Sequence, residues 1–396
     1  MKQVGLTPDR TARWIIYALL ICGLYLVGKH DLIPGYAEQH FTFLADSFLK
    51  GHLYFVQMPN YWDDTSLYKG QHYWPLGPLP ALLLLPLVAI FGTAFQQGYL
   101  LFVINITILY LLYRIASKVS GNDTTAVWLG FGYLFSTCYL YIALRPWSLY
   151  FAQAVATLFL LLSLDEFFQR RRYWLIGTYV ALAVATRVNL VFSLIFFGGS
   201  VILDVKEFRK KIPELAGLLL PVLVSLGFLL LYNYHRFGSV FEFGYKYQLL
   251  NHEPAVNRQY GIWSFIHFPT NIFYFLLKGP EPVFIPGSTI STYPYLQPNI
   301  WGMSIVFTSP ILLWGFRAAT SEKTVYLSLA AIFAMLLSIL GYYGVGVRQY
   351  GYRYALDFCP FLFVMLAYAS RKGLTLSMYL VMVISFLFNA YLISFM

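Results

Sequence analysis

Residues 75–92 read Pro75-Leu-Gly77-Pro78-Leu-Pro80-Ala-Leu-Leu-Leu-Leu-Pro86-Leu-Val-Ala-Ile-Phe-Gly92, and whether this apolar stretch crosses a membrane decides the topology of the chain. Around it stand 396 residues, 59% hydrophobic, 19% aromatic and only 11% charged. A soluble domain carries roughly 25% charged residues, so this chain has too little charge to cover a water-exposed surface, and a soluble enzyme is excluded. Apolar runs of about twenty residues, the length a spanning helix needs, fall at 14–29, 76–92, 97–116, 124–143, 148–165, 173–187, 189–203, 213–234, 300–316, 324–344, 354–370 and 374–394.

Positive charge chooses among these runs, because cytoplasmic loops collect Lys and Arg. Arg114 and Lys118, Arg170–Arg172, Lys206 with Arg209–Lys211, Arg317 and Lys323, and Arg371 and Lys372 form five basic clusters. If 76–92 crossed fully, every cluster would lie outside. The proline-led stretch is therefore expected to rest at the outer interface or re-enter without crossing. The expected fold is an all-α polytopic membrane protein: one domain over 1–396, about eleven spans, outer interfacial helices, N-terminus inside and C-terminus outside. The net charge of +10 then orients helices and does not call for nucleic acid. The run after Lys2, Arg10 and Arg13 reads as a retained first span. Cys22, Cys138 and Cys359 each lie in apolar runs without metal-ligand spacing.

Two long outer loops follow, 30–96 and 235–299, and the chemistry is expected there. The first carries Glu38, Asp46, Asp63, Asp64, Lys69 and His72. Glu38 and Asp46, eight apart, would share one face of a helix about 12 Å apart, placed to take a proton from a hydroxyl. The stretch 260–278 is interrupted by Pro269 and reads as an interfacial helix. Lys246 and Glu242 read as an ion pair or as binding residues. Four arginines break the positive-inside trend: Arg145, Arg187, Arg348 and Arg353. Planar guanidinium suits phosphate, although Arg353 could instead pair with Asp357 at i, i+4. Arg187, inside an apolar run, is a functional candidate by its cost alone. Paired outer acids and an intramembrane Arg would also serve a transporter or flippase, but no inverted repeat is present.

The order of motifs resembles a known family. A first span, an acidic outer loop, then Tyr68-x-Gly70-x-x-Tyr73-x-Pro75-x-Gly77-Pro78 opening an apolar segment is similar to the GT-C glycosyltransferases, especially the protein mannosyltransferase and aminoarabinose transferase branch. Asn233-Tyr-x-x-Arg236-Phe-Gly238-Ser239, Phe243-Gly244-Tyr245 and Gly351-Tyr-Arg353-Tyr354 resemble uncharacterised bacterial members. The resemblance implies a polyprenyl-phosphate sugar donor, a glycan, lipid or protein acceptor, and inverting transfer outside a bacterial cytoplasmic membrane. It makes Arg353, with Arg187 or Arg348, the holder of the donor phosphate, and Lys69, His72, Tyr73 and Tyr352 substrate contacts. The family's base is the Asp of an Asp-Glu pair after the first span, and the matching pair here reads Ala37-Glu38. The base is then Asp46 with Glu38 as a second polar contact, or Glu38 itself, with Asp64 facing the same cavity. Without that Asp, a catalytically inactive relative is the remaining reading. No cofactor is required, and a divalent metal is compatible with the chemistry.

Overall fold

The computed structural model describes residues 38–59, 62–250 and 252–396, together with Gly23. The expected first span 14–29, with Cys22 and Ala37, lies outside the described residues. The rest is a helical bundle with two small antiparallel hairpins, Ser66–Tyr68 with Gln71–Tyr73 and Glu281–Phe284 with Ser291–Gln297.

At the centre of the bundle runs the helix Ser148–Gln169, in which 17 of 22 residues are buried. Ala152, Ala154 and Ala156 keep its surface close to its neighbours, which are the Gln97–Ser120 and Tyr173–Thr186 helices. At the other extreme, the Phe208–Phe237 helix leaves Leu220, Leu223, Val224 and Leu231 more than half exposed, an apolar face that only lipid can cover. Gln97–Ser120 stops at Gly121, whose φ of 69° closes the last turn, and the next helix starts at once because the Asn122 side chain accepts from the Thr125 N–H at 2.9 Å.

Five described helices are long and apolar enough to cross a membrane: Gln97–Ser120, Ser148–Gln169, Phe208–Phe237, Lys323–Leu340 and Leu376–Ile393. Several expected spans are shorter or broken. The run 124–143 divides into Asp123–Phe135 and Tyr139–Leu144, and 300–316 becomes the short turns Ile305–Thr308, Pro310–Leu313 and Trp314–Arg317. Tyr173–Thr186 ends at Arg187 and resumes as a 3-10 turn, Val188–Ser193, before Leu194–Asp204. Cys359–Ala369 is likewise preceded by a 3-10 turn, Arg353–Asp357. Non-helical backbone at membrane depth survives only where it is buried in protein or lines a polar cavity, and an arginine stands at the entry of each 3-10 turn, Arg187 just before the first and Arg353 opening the second.

The deciding stretch forms a helix over Leu79–Phe91, 13 residues with Pro86 inside. At 1.5 Å per residue it is about 20 Å long, short of the roughly 30 Å hydrocarbon core. Its entry is fixed by a close approach: a Cβ on Gly77 would run into the carbonyls of Ala185 and Thr186 at the end of the Tyr173–Thr186 helix.

The basic clusters collect at one end of the bundle, and each has at least one member in an ion pair. Arg172 meets Glu166 at 2.9 Å, Arg114 meets Asp165 at 3.2 Å, Arg371 meets Glu322 at 2.7 Å, and Arg171 and Lys323 share Asp204. The far end of the central helix points elsewhere: the Ser148 hydroxyl donates to the Glu38 carbonyl at 3.2 Å. Eighteen residues of helix, about 27 Å, separate Ser148 from Glu166. The acids of the first loop and the basic belt therefore occupy opposite ends of the bundle.

Gly77→Val is expected to destabilise the protein by more than about 2 kcal/mol, since backbone carbonyls cannot move aside. Thermal unfolding in detergent against wild type measures it.

Candidate active site

The first turns of the central helix gather three separate segments. Ser148 Oγ lies 2.9 Å from the His40 N–H and 3.0 Å from its Nδ1, holding the start of the His40–Leu49 helix. Tyr150 Oη donates to the Arg348 carbonyl, and Gln153 Nε2 donates to the Arg353 carbonyl at 2.8 Å. His40 in turn stacks on Trp74, centroids 4.1 Å apart, which ties the first loop to the proline-led entry. These contacts join residues 38–40, 74–78 and 348–353 into one wall.

The two outer loops close the opposite wall by main-chain pairing. Asp64 N–H donates to the Leu249 carbonyl at 3.1 Å, Leu249 N–H to the Thr65 carbonyl at 2.8 Å, and Ser66 Oγ to the Gly244 carbonyl at 2.8 Å. Asp64 adopts a φ of 64°, a conformation Asp tolerates better than most residues. Its carboxylate accepts from Gln248 Nε2 at 3.2 Å, and Gln248 Oε1 accepts from Tyr343 Oη at 3.1 Å.

Between these walls lies a cavity of about 600 Å³, lined by Asp64, Arg187, Arg236, Arg353, Asp357 and aromatic side chains including Tyr245 and Tyr354. Arg187 is neutralised: Nε and Nη2 donate to the two Asp357 oxygens at 2.6 and 3.0 Å, and Asn189 adds a bond at 3.1 Å. Arg353 is different. It is 7% exposed, its guanidinium lies beside the rings of Tyr150 and Tyr354 at 5.6 and 5.3 Å, and its Nη1 has no hydrogen-bond partner among the described residues. A buried guanidinium with an unpaired nitrogen on a cavity wall is suited to an anion.

Glu38 stands half-buried beside this group. Desolvation pushes its carboxyl up to about 7; the Asp64 and Asp63 charges add to the rise, and Arg353 and Arg348 oppose it. Burial also raises Asp64, with Arg353 pulling it back. Both acids therefore hold a proton to higher pH than an exposed carboxyl does, Glu38 to about 7.

The other sequence candidates lie elsewhere. The helix begins only at His40, after Gln39 at a non-helical cap, so Glu38 and Asp46 do not share a helical face as their spacing suggested. Asp46 pairs with Lys50 at 2.7 Å and does not line the cavity. Arg348 is exposed and acts on the acids by its charge. Lys69 lies exposed at the hairpin turn, His72 Nδ1 meets Thr65 Oγ1 at 2.9 Å, Tyr73 donates to Gln71, and Tyr352 is buried with its hydroxyl on Asn271 at 2.7 Å. None of these four lines the cavity. Glu242 accepts from the Gly244 N–H at 2.7 Å, not from Lys246, which lies over Tyr247. Sequence reasoning quoted Arg236 only within a motif; the structure puts it on the cavity wall. Among the described residues no three His, Cys, Asp or Glu side chains group as metal ligands.

The structure is similar to ArnT, the aminoarabinose transferase from Cupriavidus metallidurans, solved bound to undecaprenyl phosphate. The TM-score is 0.56 at 10% identity, covering 95% of this chain and 63% of ArnT. The chain has the GT-C fold. A second similar structure is the archaeal oligosaccharyltransferase AglB from Archaeoglobus fulgidus, in complex with an inhibitory peptide and a dolichol-phosphate, at a TM-score of 0.48 and 12% identity over 97% of this chain and 55% of that one. The chain thus spans less than two thirds of either protein's length. No protein-family model and no curated protein sequence matches it.

Two outcomes follow from the charges. Asp357→Asn leaves Arg187 buried without its counter-ion and is expected to cost about 3–5 kcal/mol, whereas Arg187→Met with Asp357→Leu recovers most of that loss; detergent melts of the three proteins decide it. Because the folded state raises the Glu38 pKa, it binds the proton more tightly than the unfolded chain. Stability is therefore expected to fall as pH rises from about 4.5 to 7, by up to roughly 3 kcal/mol, and Glu38→Gln flattens that slope. Melting temperatures across pH 4.5–8 test the sign.

Proposed function

We propose that this chain is a membrane glycosyltransferase that moves a sugar, hexosyl or pentosyl, from a polyprenyl-phosphate donor to a hydroxyl of a glycan, lipid or protein acceptor. The observation that carries the reading is the meeting of the Asp64 and Arg353 side chains on one cavity, the guanidinium having one nitrogen without a partner among the described residues, in a fold shared with a protein bound to undecaprenyl phosphate. The belt of paired Lys and Arg lies at the other end of the bundle. By the positive-inside rule the cavity then faces the extracytoplasmic side of the cytoplasmic membrane, and the N-terminus is cytoplasmic.

In this mechanism Asp64 takes the proton of the acceptor hydroxyl as the oxygen attacks the anomeric carbon. The bond from that carbon to the phosphate oxygen breaks, its electrons leave with the phosphate, and configuration at the anomeric carbon inverts. Arg353 offsets the charge that develops on the departing lipid phosphate. Glu38, with its carboxyl near 7, is protonated part of the time at neutral pH, which eases the ionisation of Asp64 beside it. Arg187, held by Asp357, shapes the wall and fixes Tyr354 between two guanidinium groups. Arg353 carries the charge compensation, and no step here is routed through a divalent ion.

Transfer from radiolabelled polyprenyl-phosphate hexose and pentose donors, measured in membranes carrying wild type or variants, is the test. Asp64→Asn and Arg353→Gln are expected to lose about 10²–10⁴-fold in rate, while Asp46→Asn stays near wild type. Full activity in both Asp64→Asn and Arg353→Gln overturns the assignment.

A further inference from the structure

Three arginines line the cavity, and they differ in how their charge is met. Arg187 has Asp357, and Arg353 has Asp64 and Glu38 within electrostatic reach. Arg236 has no carboxylate in ion-pair or hydrogen-bond contact among the described residues, and Glu242 acts on it only through space. Arg236 is 3% exposed at the last turn of the Phe208–Phe237 helix, wedged against the Tyr232 ring at 3.9 Å and the Phe237 ring at 4.7 Å. Nη1 donates to the Trp74 carbonyl at 2.6 Å and Nη2 to Asn233 Oδ1 at 2.7 Å, both neutral acceptors. Nε has no partner among the described residues. Glu242, on the loop that follows, is occupied with the Gly244 N–H.

A structural bond to the Trp74 carbonyl requires only a neutral donor, and Gln supplies one without a buried charge. The helix C-terminus and the two rings favour a cation here, yet a desolvated guanidinium without a counter-ion remains costly. That cost is recovered when an anion enters the cavity. Arg236 shares no hydrogen-bond partner and no ring with Arg353.

We infer that Arg236 forms a second anion-binding position in the cavity, separate from Arg353, which takes a phosphate or carboxylate group of the substrates. This deepens the transferase reading: either the donor carries two phosphates, or the acceptor is itself acidic. The position at Arg236 stands on its own geometry, so it survives if Arg353 proves not to hold the donor.

The test is binding to the purified protein in detergent, with inorganic phosphate, undecaprenyl phosphate and undecaprenyl diphosphate as probes. Wild type is expected to bind two equivalents of inorganic phosphate, and Arg236→Gln and Arg353→Gln one each, with Arg236→Lys retaining both. Two equivalents persisting in Arg236→Gln, or none remaining in Arg353→Gln, overturns the proposal. If Arg236→Gln does not fold, the Arg353→Gln stoichiometry alone decides. The lipids distinguish the sources. Diphosphate binding about tenfold or more tighter than monophosphate, with the gain lost in Arg236→Gln, assigns the position to the donor. Equal lipid affinities, with one inorganic phosphate still bound beside undecaprenyl phosphate, assign it to an acidic acceptor. Undecaprenyl phosphate affinity unchanged in Arg353→Gln counts against the donor assignment above and leaves Arg236 in place.

Discussion

The cavity depends on the first turns of the central helix. Ser148, Tyr150 and Gln153 are buried polar side chains at the start of a largely apolar helix, and between them they satisfy backbone groups from two distant parts of the chain. Burying these groups unbonded would be expensive, so the loops are drawn to the helix and not only placed near it. The apolar remainder of the helix fixes its depth in the bundle. Together these two requirements set where the cavity floor lies and how far it stands from the basic belt.

Charge follows the same economy. In a region where an unpaired ion is costly, every arginine must be matched by an acid, a ring or an incoming ligand. Arg187 takes the acid, Arg353 takes rings and the field of two carboxyls, and Arg236 takes rings and neutral oxygens. The two carboxyls respond in kind, with burial raising both and the cations opposing the rise. The charges of Arg353, Asp64 and Glu38 are thus coupled, and any change in the charge beside Arg353 alters the field felt by the two acids.

Much of this was legible in the sequence. Apolar runs and basic clusters declared a helical membrane protein, and Arg187 and Arg353 stood out because charge is rare in such company. Partners were harder to read. The i, i+4 pairing of Arg353 with Asp357 presumes an α-helix, whereas residues 353–357 form a 3-10 turn, whose period of three does not align them, and Asp357 reaches Arg187 instead. Asp46 does sit on the regular helical stretch that favours it in the sequence, yet that helix begins only at His40 and its carboxylate meets Lys50 one turn on. Arg236 carries no local signal, since its contact with the Trp74 carbonyl and its place on the cavity wall exist only in three dimensions.

The pairing of residues 64–66 with 244–249 bears on the order in which the protein is made. Asp64 is made about 180 residues before the segment that fixes its backbone, and about 290 residues before Arg353. A nascent chain therefore carries acids, cations and apolar walls that have not yet met. Contacts this distant in sequence are slow to form, and the cavity is complete only once that segment and Arg353 have both been made.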